Sequence, residues 1–388
     1  MANIHDYLDW RGDLEFSDFE INEIDELILA RVSYFPYDRI KMKPTEKFKD
    51  IAKKMESFTD KDFIWKGDKE LLQKLGESKR YDEVTITDYI KHNDLEEQKQ
   101  FSAITIHIAN NLHYVSYCGT DYSLYAWKEN FNMSFMDKIP AQIEAKKYFD
   151  NIAKAYKGRF ILGGHSKGGN LAIYAAVKAS QRNKARIIKA INYDGPGFRT
   201  DFVKSKEYKE MLPKLHEYIP QDSIVGMLLT QDEKFTVVLS VEKAILQHDI
   251  FSWLVEKDKL ISVKNTTKAS QIMNKAISNW IKSLSIEQRQ IFIDSVYEVL
   301  YSTEATSLKE LSTNWVSKVG TVLKTYNNLS EKDKKIISKT VKQIITSYRK
   351  AVREDNKKEI KQKIDKLKKE NKLINRTLAK KVNIGRII

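Results

Sequence analysis

The sequence contains one cysteine, Cys118, in 388 residues, which excludes an intramolecular disulfide framework and any multi-cysteine metal site. Only 6 prolines and 14 glycines occur while 41% of the residues are hydrophobic, which excludes a collagen-like or wholly disordered chain. No run of about 18 apolar residues is present, so no membrane-spanning helix is expected. The first ten residues, with Asp6 and Asp9, lack a general secretory signal. The expected location is the cytoplasm, or the exterior by a route that is independent of a signal peptide.

Length and charge both predict two domains, because 388 residues exceed what one hydrophobic core usually organises. The net charge of +14 is uneven, since residues 1–260 sum to −2 and residues 261–388 to +16. An anionic membrane contact is therefore expected at the C-terminal part, with a solvated lysine-rich surface as the alternative. No nucleic-acid-binding motif accompanies the charge, which disfavours nucleic acid as a partner.

Residues 1–260 show strand and helix patterns that predict an α/β domain. A helix is predicted at 17–32, where Ser17 and Glu20 are spaced like a capping box, and a hairpin at 103–109 and 112–117. The following segments alternate between helix and strand: helix 139–156, strand 159–162, helix 169–179, and strands 187–193, 215–219 and 235–239. This order predicts a largely parallel sheet covered on both faces.

Residues 261–388 show helical periodicity only, which predicts a basic all-α domain for partner binding or targeting. Apolar residues recur every three or four positions in 272–284, 308–323 and 336–348. In residues 360–378 a 4-3-4-3-4 spacing of apolar residues and one asparagine is typical of a coiled coil, with an ordinary packed helix as the alternative. It joins Ile360, Ile364, Leu367, Asn371, Ile374 and Leu378.

A glycine-rich turn between an apolar strand and a helix is the strongest local signal. Gly164, Ser166 and Gly168 form G-x-S-x-G, the nucleophile elbow of α/β-hydrolases. The turn is sharp, and a side chain at either glycine would clash with the neighbouring strand or helix. It also places the Ser166 hydroxyl at a helix N-terminus, where backbone N–H groups favour negative charge.

The order nucleophile, acid, histidine predicts the other two members of a catalytic triad. After the elbow only His216 and His248 remain as bases, and Asp222 follows the second strand after the nucleophile strand, where the acid normally lies. Only His248 follows Asp222, so the predicted triad is Ser166, Asp222 and His248. Asp194, at the end of the first strand after the elbow, is the alternative acid, and a packed histidine beside a tryptophan is the alternative for His248.

Acyl transfer also needs donors for an oxyanion. The backbone N–H of Lys167, the residue after the nucleophile, is one candidate. Thr120, after the strand that ends near Tyr117, is the other and could offer both its N–H and its hydroxyl. No metal or organic cofactor is needed for this chemistry.

These motifs together resemble the bacterial Mbeg1-like family, which is related to class 3 lipases. The resemblance covers about residues 1–260 and implies a lipase-like α/β-hydrolase fold. In class 3 lipases an Arg-Gly-Ser/Thr stretch supplies the oxyanion hole, and here Cys118 stands in place of the arginine. Their acid lies in an Asp-x-Val-type turn that Asp222 resembles. The matching stretches are 3–14, 119–131, 164–172, 194–198 and 247–249.

The architecture as a whole, a lipase-like domain followed by helices, resembles reversed-order lipase toxins exported by type VII machinery. That resemblance implies small helical partner proteins bound through residues 261–388. The expected function is a serine hydrolase that cleaves carboxylic esters, such as a lipase or phospholipase. The alternative is an inactive hydrolase-fold binding module that acts through its basic helices on a membrane or a protein.

Overall fold

A mixed β-sheet of nine strands organises the protein. The computed structural model describes residues 2–94, 96–97, 99–109, 111–121, 128–130, 132–133, 135–229, 235–301, 324–340, 342–343, 345–350 and 352–353. The strands are β1 (Glu46–Lys47), β2 (Thr85–Asp94), β3 (Lys99–His107), β4 (Leu112–Tyr117), β5 (Arg159–His165), β6 (Ile187–Tyr193), β7 (Leu215–Pro220), β8 (Thr236–Val238), β9 (Val255–Glu256), β10 (Lys259–Leu260) and β11 (Ser262–Val263). The sheet order is β1-β2-β3-β4-β5-β6-β7-β8-β11, and β9 pairs with β10 separately.

The centre of the sheet is parallel and its two sides are antiparallel. Strands β4 to β8 pair in parallel, while β1 to β4 and the pair β8–β11 are antiparallel. The prediction of a largely parallel sheet is therefore correct for the centre only. The short connections from β2 to β3 and from β3 to β4 leave no room for a crossover helix, so these neighbours must run antiparallel.

Helices cover both faces of the sheet, as the alternating pattern predicted. They are α1 (Ile4–Arg11), α2 (Glu23–Arg31), α3 (Phe48–Lys54), α4 (Asp68–Glu77), α5 (Pro140–Ala155), α6 (Lys167–Lys178), α7 (Gln181–Arg186), α8 (Thr200–Val203), α9 (Lys206–Met211), α10 (Lys268–Ser283) and α11 (Ile286–Tyr301). One apolar cluster joins α1 to α4 to one face, and a second joins α5, α6 and α9 to the other. None of the helices in the described ranges is long and apolar enough to cross a bilayer.

Helix α2 begins later than the sequence pattern predicted. Its cap is Asn22, whose side chain accepts from the N–H of Ile24 at 2.9 Å, while Asp25 accepts from the N–H of Asn22 at 3.0 Å. This reciprocal pair satisfies backbone donors that a helix otherwise leaves unpaired. Ser17 instead lies in a turn, so the predicted start at that residue is wrong.

The chain beyond residue 260 is helical in its described part, apart from β11, which completes the sheet. Helix α10 is tied to the α/β part, because its cap Thr267 donates its N–H to the carbonyl of Gln221 at 2.7 Å and Ser270 donates its hydroxyl to the carbonyl of Ser223 at 2.7 Å. Residues 324–328 and 331–340 are helical. The predicted stripe at 308–323 and the coiled-coil segment at 360–378 lie outside the described residues.

A buried ion pair joins the N-terminal helices to the body. Both oxygens of Asp25 accept from Arg80, at 2.9 Å from Nε and 2.6 Å from Nη2, and both side chains are fully buried. Tyr7 and Tyr81 also donate their hydroxyls to Asp25, at 2.9 Å and 2.8 Å. One carboxylate therefore links α1, α2 and the turn before β2.

We expect Asp25→Ala to lower the free energy of unfolding by about 3–5 kcal/mol, because it leaves the guanidinium of Arg80 buried without its counter-charge. Chemical denaturation followed by circular dichroism measures this loss. The matched control is Asp82→Ala, which removes an exposed ion pair with Lys49 and should leave the unfolding midpoint almost unchanged. Equal effects of the two substitutions would contradict the importance of the buried pair.

Candidate active site

Ser166 occupies a sharp turn between β5 and α6. Its φ of 59° and ψ of −133° lie in a region that costs a non-glycine residue about 1–3 kcal/mol. Its N–H donates to the carbonyl of Tyr193 on the neighbouring β6 at 2.8 Å, and its carbonyl accepts from the N–H of Gly169 at 3.0 Å. The strand, turn and helix predicted around G-x-S-x-G are therefore present, and hydrogen bonds on both sides hold the strained residue.

The two glycines that flank Ser166 are sterically required. A Cβ on Gly164 would overlap the backbone of Gly168, and a Cβ on Gly168 would overlap the carbonyl of Tyr117 at the end of β4. Backbone atoms cannot move aside as the end of a flexible side chain can. The elbow consequently packs directly against the end of β4.

The imidazole of His248 is held by Asp194. Its Nδ1 lies 2.6 Å from Oδ2 of Asp194, while Oδ1 accepts from the hydroxyl of Ser223 at 2.5 Å and from the N–H of Gly226 at 3.1 Å. A carboxylate accepts hydrogen bonds and does not donate them, so Nδ1 of His248 carries a proton. In the neutral ring this leaves Nε2 as the nitrogen that can accept one.

The structure does not bring Asp222, the acid that the sequence predicts, to Nδ1 of His248. Its carboxylate accepts from the hydroxyl of Thr267 and from Nε2 of Gln247, the latter at 3.3 Å. The order of the strands is the physical reason. Asp194 directly follows β6, the immediate neighbour of the nucleophile strand β5, whereas Asp222 follows β7, one strand further away. The alternative acid therefore occupies the place beside the histidine.

Ser166 and His248 belong to one site but are not hydrogen-bonded to each other. The rings of His165 and His248 lie 4.5 Å apart between centroids, and Nε2 of His165 lies 2.7 Å from the carbonyl oxygen of His248. Among the described residues, no hydrogen bond joins the hydroxyl of Ser166 to His248. Catalytic hydrogen bonds in ligand-free sites are often long and tighten only around substrate.

His165 is a structural support, a role that the sequence pattern does not indicate. Its ring is fully buried, and burial, followed by the nearby His248 and Arg31, holds the pKa of His165 well below its ordinary value. Its Nε2 must donate to the carbonyl of His248, because a carbonyl oxygen only accepts. Nδ1 then faces the hydroxyl of Tyr34 at 3.3 Å. A neutral imidazole thus fixes the backbone of the candidate base.

The predicted oxyanion loop, which is the segment after β4 that carries Gly119 and Thr120, lies beside the elbow. A Cβ on Gly119 would overlap the hydroxyl of Tyr34 and approach the carbonyl of His165 to 2.6 Å, so this loop and the elbow touch. The hydroxyl of Thr120 accepts from Nδ2 of Asn130 at 2.6 Å and keeps its own proton for donation. Cys118 is buried, and burial raises the pKa of its thiol to about 12, so it stays a neutral thiol.

A cavity of about 570 Å³ opens between the loops after β6 and β7 and helices α10 and α11. Half of its lining residues are apolar, and the charged residues Arg199, Asp201, Lys282 and Arg289 also line it. The apolar lining residues include Phe198, Met227, Leu229, Phe235, Ile277 and Ile281. Within the ranges that the structure describes, no group of three or more His, Cys, Asp or Glu side chains is placed to hold a metal ion.

Comparisons with known proteins identify the family. A solved structure described as a crystal structure of M37 lipase is similar to this chain with 19% sequence identity, covering 52% of this chain and 69% of that chain, at a TM-score of 0.33. A comparison with curated proteins gives no match. The family model described as Mbeg1-like matches residues 75–298, which is more than half of the 388 residues and extends past the predicted boundary at 260. The chain belongs to the Mbeg1-like family.

Proposed function

We propose that this protein is a serine hydrolase that cleaves carboxylic esters with Ser166, His248 and Asp194 as its triad. The observation that carries the proposal is the 2.6 Å contact between Nδ1 of His248 and Asp194 at the sheet edge that also holds Ser166. A plain glycine-rich turn would need neither a strained serine nor a histidine oriented by a buried carboxylate. The triad is recognised by these geometric roles and not by chain position.

The first half of the reaction forms an acyl-enzyme. The hydroxyl oxygen of Ser166 attacks the ester carbonyl while Nε2 of His248 takes the proton, and the carbonyl oxygen becomes an oxyanion. The N–H groups of Lys167 and Thr120 are the proposed donors to that oxygen. Collapse of the tetrahedral intermediate breaks the ester C–O bond, and the alcohol leaves with the proton from His248.

The second half returns the enzyme to its starting state. His248 takes a proton from water, the resulting hydroxide attacks the acyl carbonyl, and the Ser166 ester bond breaks as the serine oxygen recovers its proton. Asp194 stays ionised throughout, because its part is to orient the ring and stabilise the imidazolium. Its hydrogen bonds from Ser223 and Gly226 keep the carboxylate in place for that part.

The cavity between the loops after β6 and β7 and helices α10 and α11 supports substrates with an apolar acyl chain. Phe198 and Leu229 in its wall belong to the loops after β6 and β7, the same loops that carry Asp194 and its hydrogen-bond donors. Apolar walls stabilise a hydrocarbon chain by removing it from water, at about 0.8 kcal/mol for each buried methylene. We therefore propose lipid-like esters as the substrate class.

The roles proposed for the C-terminal helices rest on the sequence alone. Small helical partners, contact with an anionic membrane and export by a type VII-like route stay predictions. Much of the positive charge that motivated them lies in residues 354–388, outside the described residues.

We expect Ser166→Ala to lose esterase activity by about a million-fold, since it removes the nucleophile of the covalent step. Hydrolysis of p-nitrophenyl esters and phospholipids, together with fluorophosphonate labelling, measures the loss. Ser180→Ala, which changes the cap of the next helix α7, is the control and should keep full activity. Equal labelling of wild type and Ser166→Ala would remove Ser166 from the mechanism and leave the binding-module alternative.

We expect Asp194→Asn to reduce kcat by about 10⁴-fold and Asp222→Asn by less than about tenfold. Ser223 and Gly226 donate to Oδ1 of Asp194, so an asparagine here would place its oxygen toward them and its NH₂ group toward His248. Nδ1 would then accept, the proton would move to Nε2, and Nε2 could no longer take the serine proton. Steady-state kinetics of both variants test this, and the opposite order of damage would assign the acid to Asp222.

We expect Ser278→Trp on α10 to lower kcat/KM for long-chain esters at least tenfold more than for acetate esters, because the indole would occupy part of the cavity lined by Ser278. The acetate ester measured on the same variant is the internal control for an intact triad. Thermal unfolding checks that the fold is kept. A uniform change across all chain lengths would show that the acyl chain lies elsewhere.

A further inference from the structure

The side chain of Lys167 extends away from the elbow into a fully buried polar network. Its Nζ donates to Oε2 of Glu129 at 2.8 Å, and to Oε1 and the backbone carbonyl of Gln100 at 2.6 Å and 2.7 Å. Lys167 and Glu129 are both completely buried. All three ammonium protons therefore have partners, and the network joins β3, the start of α6 and the chain after the oxyanion loop.

Stability alone does not explain this pair. Removing two charges from water costs several kcal/mol for each ion, and apolar residues of similar volume often stabilise a fold as well or better. The pair is nevertheless fully connected, since Glu129 also accepts from the N–H groups of Gln100 and Ala141 at 3.2 Å and 3.1 Å. A fully connected buried network fixes the positions of the groups it contains.

The network fixes which way the amide of Gln100 points. An ammonium group only donates, so the atom that faces Nζ of Lys167 must be the amide oxygen of Gln100. Nε2 therefore points the other way, where it donates to the carbonyl of Gly119 at 3.2 Å. Lys167 thus determines that Gln100 presents a donor to the oxyanion loop.

The carbonyl of Gly119 and the N–H of Thr120 belong to the same peptide unit. The peptide is planar and trans, so its C=O and N–H point in opposite directions. When Gln100 holds the carbonyl, the direction of the Thr120 N–H is fixed as well. This N–H is the second proposed oxyanion donor, and the first is the backbone N–H of Lys167 itself.

We propose that Gln100 is a positioning residue for the oxyanion hole, anchored by the buried Lys167–Glu129 ion pair. The inference rests on the proposed function. Lys167 then contributes to both oxyanion donors. Its own backbone N–H is one donor, and its side chain, by orienting Gln100, fixes the direction of the other, the N–H of Thr120. The two N–H groups stabilise the transition state more than bound substrate, because negative charge develops on the carbonyl oxygen as the tetrahedral intermediate forms.

The test compares Gln100→Met, which removes the amide while keeping the length of the side chain, with Gln142→Met. Gln142 is also buried and donates to Asn170 at 2.8 Å, with its oxygen accepting from the N–H of Ile139. We expect Gln100→Met to lower kcat by about 10–100-fold, below the 10²–10³-fold cost of deleting a donor, with KM nearly unchanged. Binding of an alkyl boronic acid, whose serine adduct is tetrahedral, should weaken by a similar factor, and Gln142→Met should change neither.

A second measurement needs no turnover. The NMR order parameter of the Thr120 amide should be about 0.85 in the wild type and should fall below about 0.6 in Gln100→Met, because the peptide loses its hydrogen bond. Gln100→Glu keeps an acceptor for Lys167 but has no donor for Gly119, so it should reproduce the loss if Gln100→Met folds poorly. An unchanged order parameter, an unchanged kcat, or equal losses in Gln100→Met and Gln142→Met would overturn the proposal.

These results also separate the two proposals. Absence of fluorophosphonate labelling at Ser166 in the wild type would count against the hydrolase function, whatever the Thr120 amide shows. Normal labelling with an unaffected Thr120 amide in Gln100→Met would instead leave the hydrolase in place and remove Gln100 from its oxyanion hole.

Discussion

The parallel pairing of β4, β5 and β6 decides where the candidate catalytic groups lie. The register aligns Tyr117 with Gly164 and His165 with Tyr193, so the carboxyl ends of three neighbouring strands meet at one edge. Gly119 and Thr120, Ser166 and Asp194 follow these ends, and they are the proposed oxyanion loop, nucleophile and acid. Distant parts of the sequence converge because the strands share one register, and the strained backbone of Ser166 is held by a hydrogen bond to the next strand.

Much of this arrangement is readable from the sequence, because it depends on local sterics. G-x-S-x-G between an apolar strand and a helix predicts the elbow, since only glycine fits where backbone approaches backbone. The hairpin of β3 and β4 and the elements between 139 and 239 are confirmed to within a few residues. The start of α2 was less predictable, because Ser17 and Asn22 are both good caps and the contacts of Asp25 with the body favour the second.

The choice of acid depends on which strand lies beside β5, and chain order does not reveal this. Asp194 and Asp222 both follow strands, and chain order favours Asp222 because the acid usually follows the second strand after the nucleophile strand. The buried network of Lys167 was hidden for another reason. A lysine after the nucleophile reads as a backbone donor on a solvated helix end, and nothing local indicates that Gln100 and Glu129 lie beneath it. Neither residue was proposed from the sequence, and no short-range pattern could have found them.

Strand β11 and the start of α10 are synthesised after the proposed triad residues, yet both contact the elements that surround them. The outer edge of β8 pairs with Ser262 and Val263 of β11, and an unpaired sheet edge is a template for association with other chains. The loop that holds Asp194 is in turn fastened by Ser270 through the carbonyl of Ser223. A ribosome-bound chain that ends near residue 260 therefore has every proposed triad residue but lacks β11 at the edge of β8 and the hydrogen bond from Ser270 to Ser223. These two contacts form only once the chain extends through the first turn of α10.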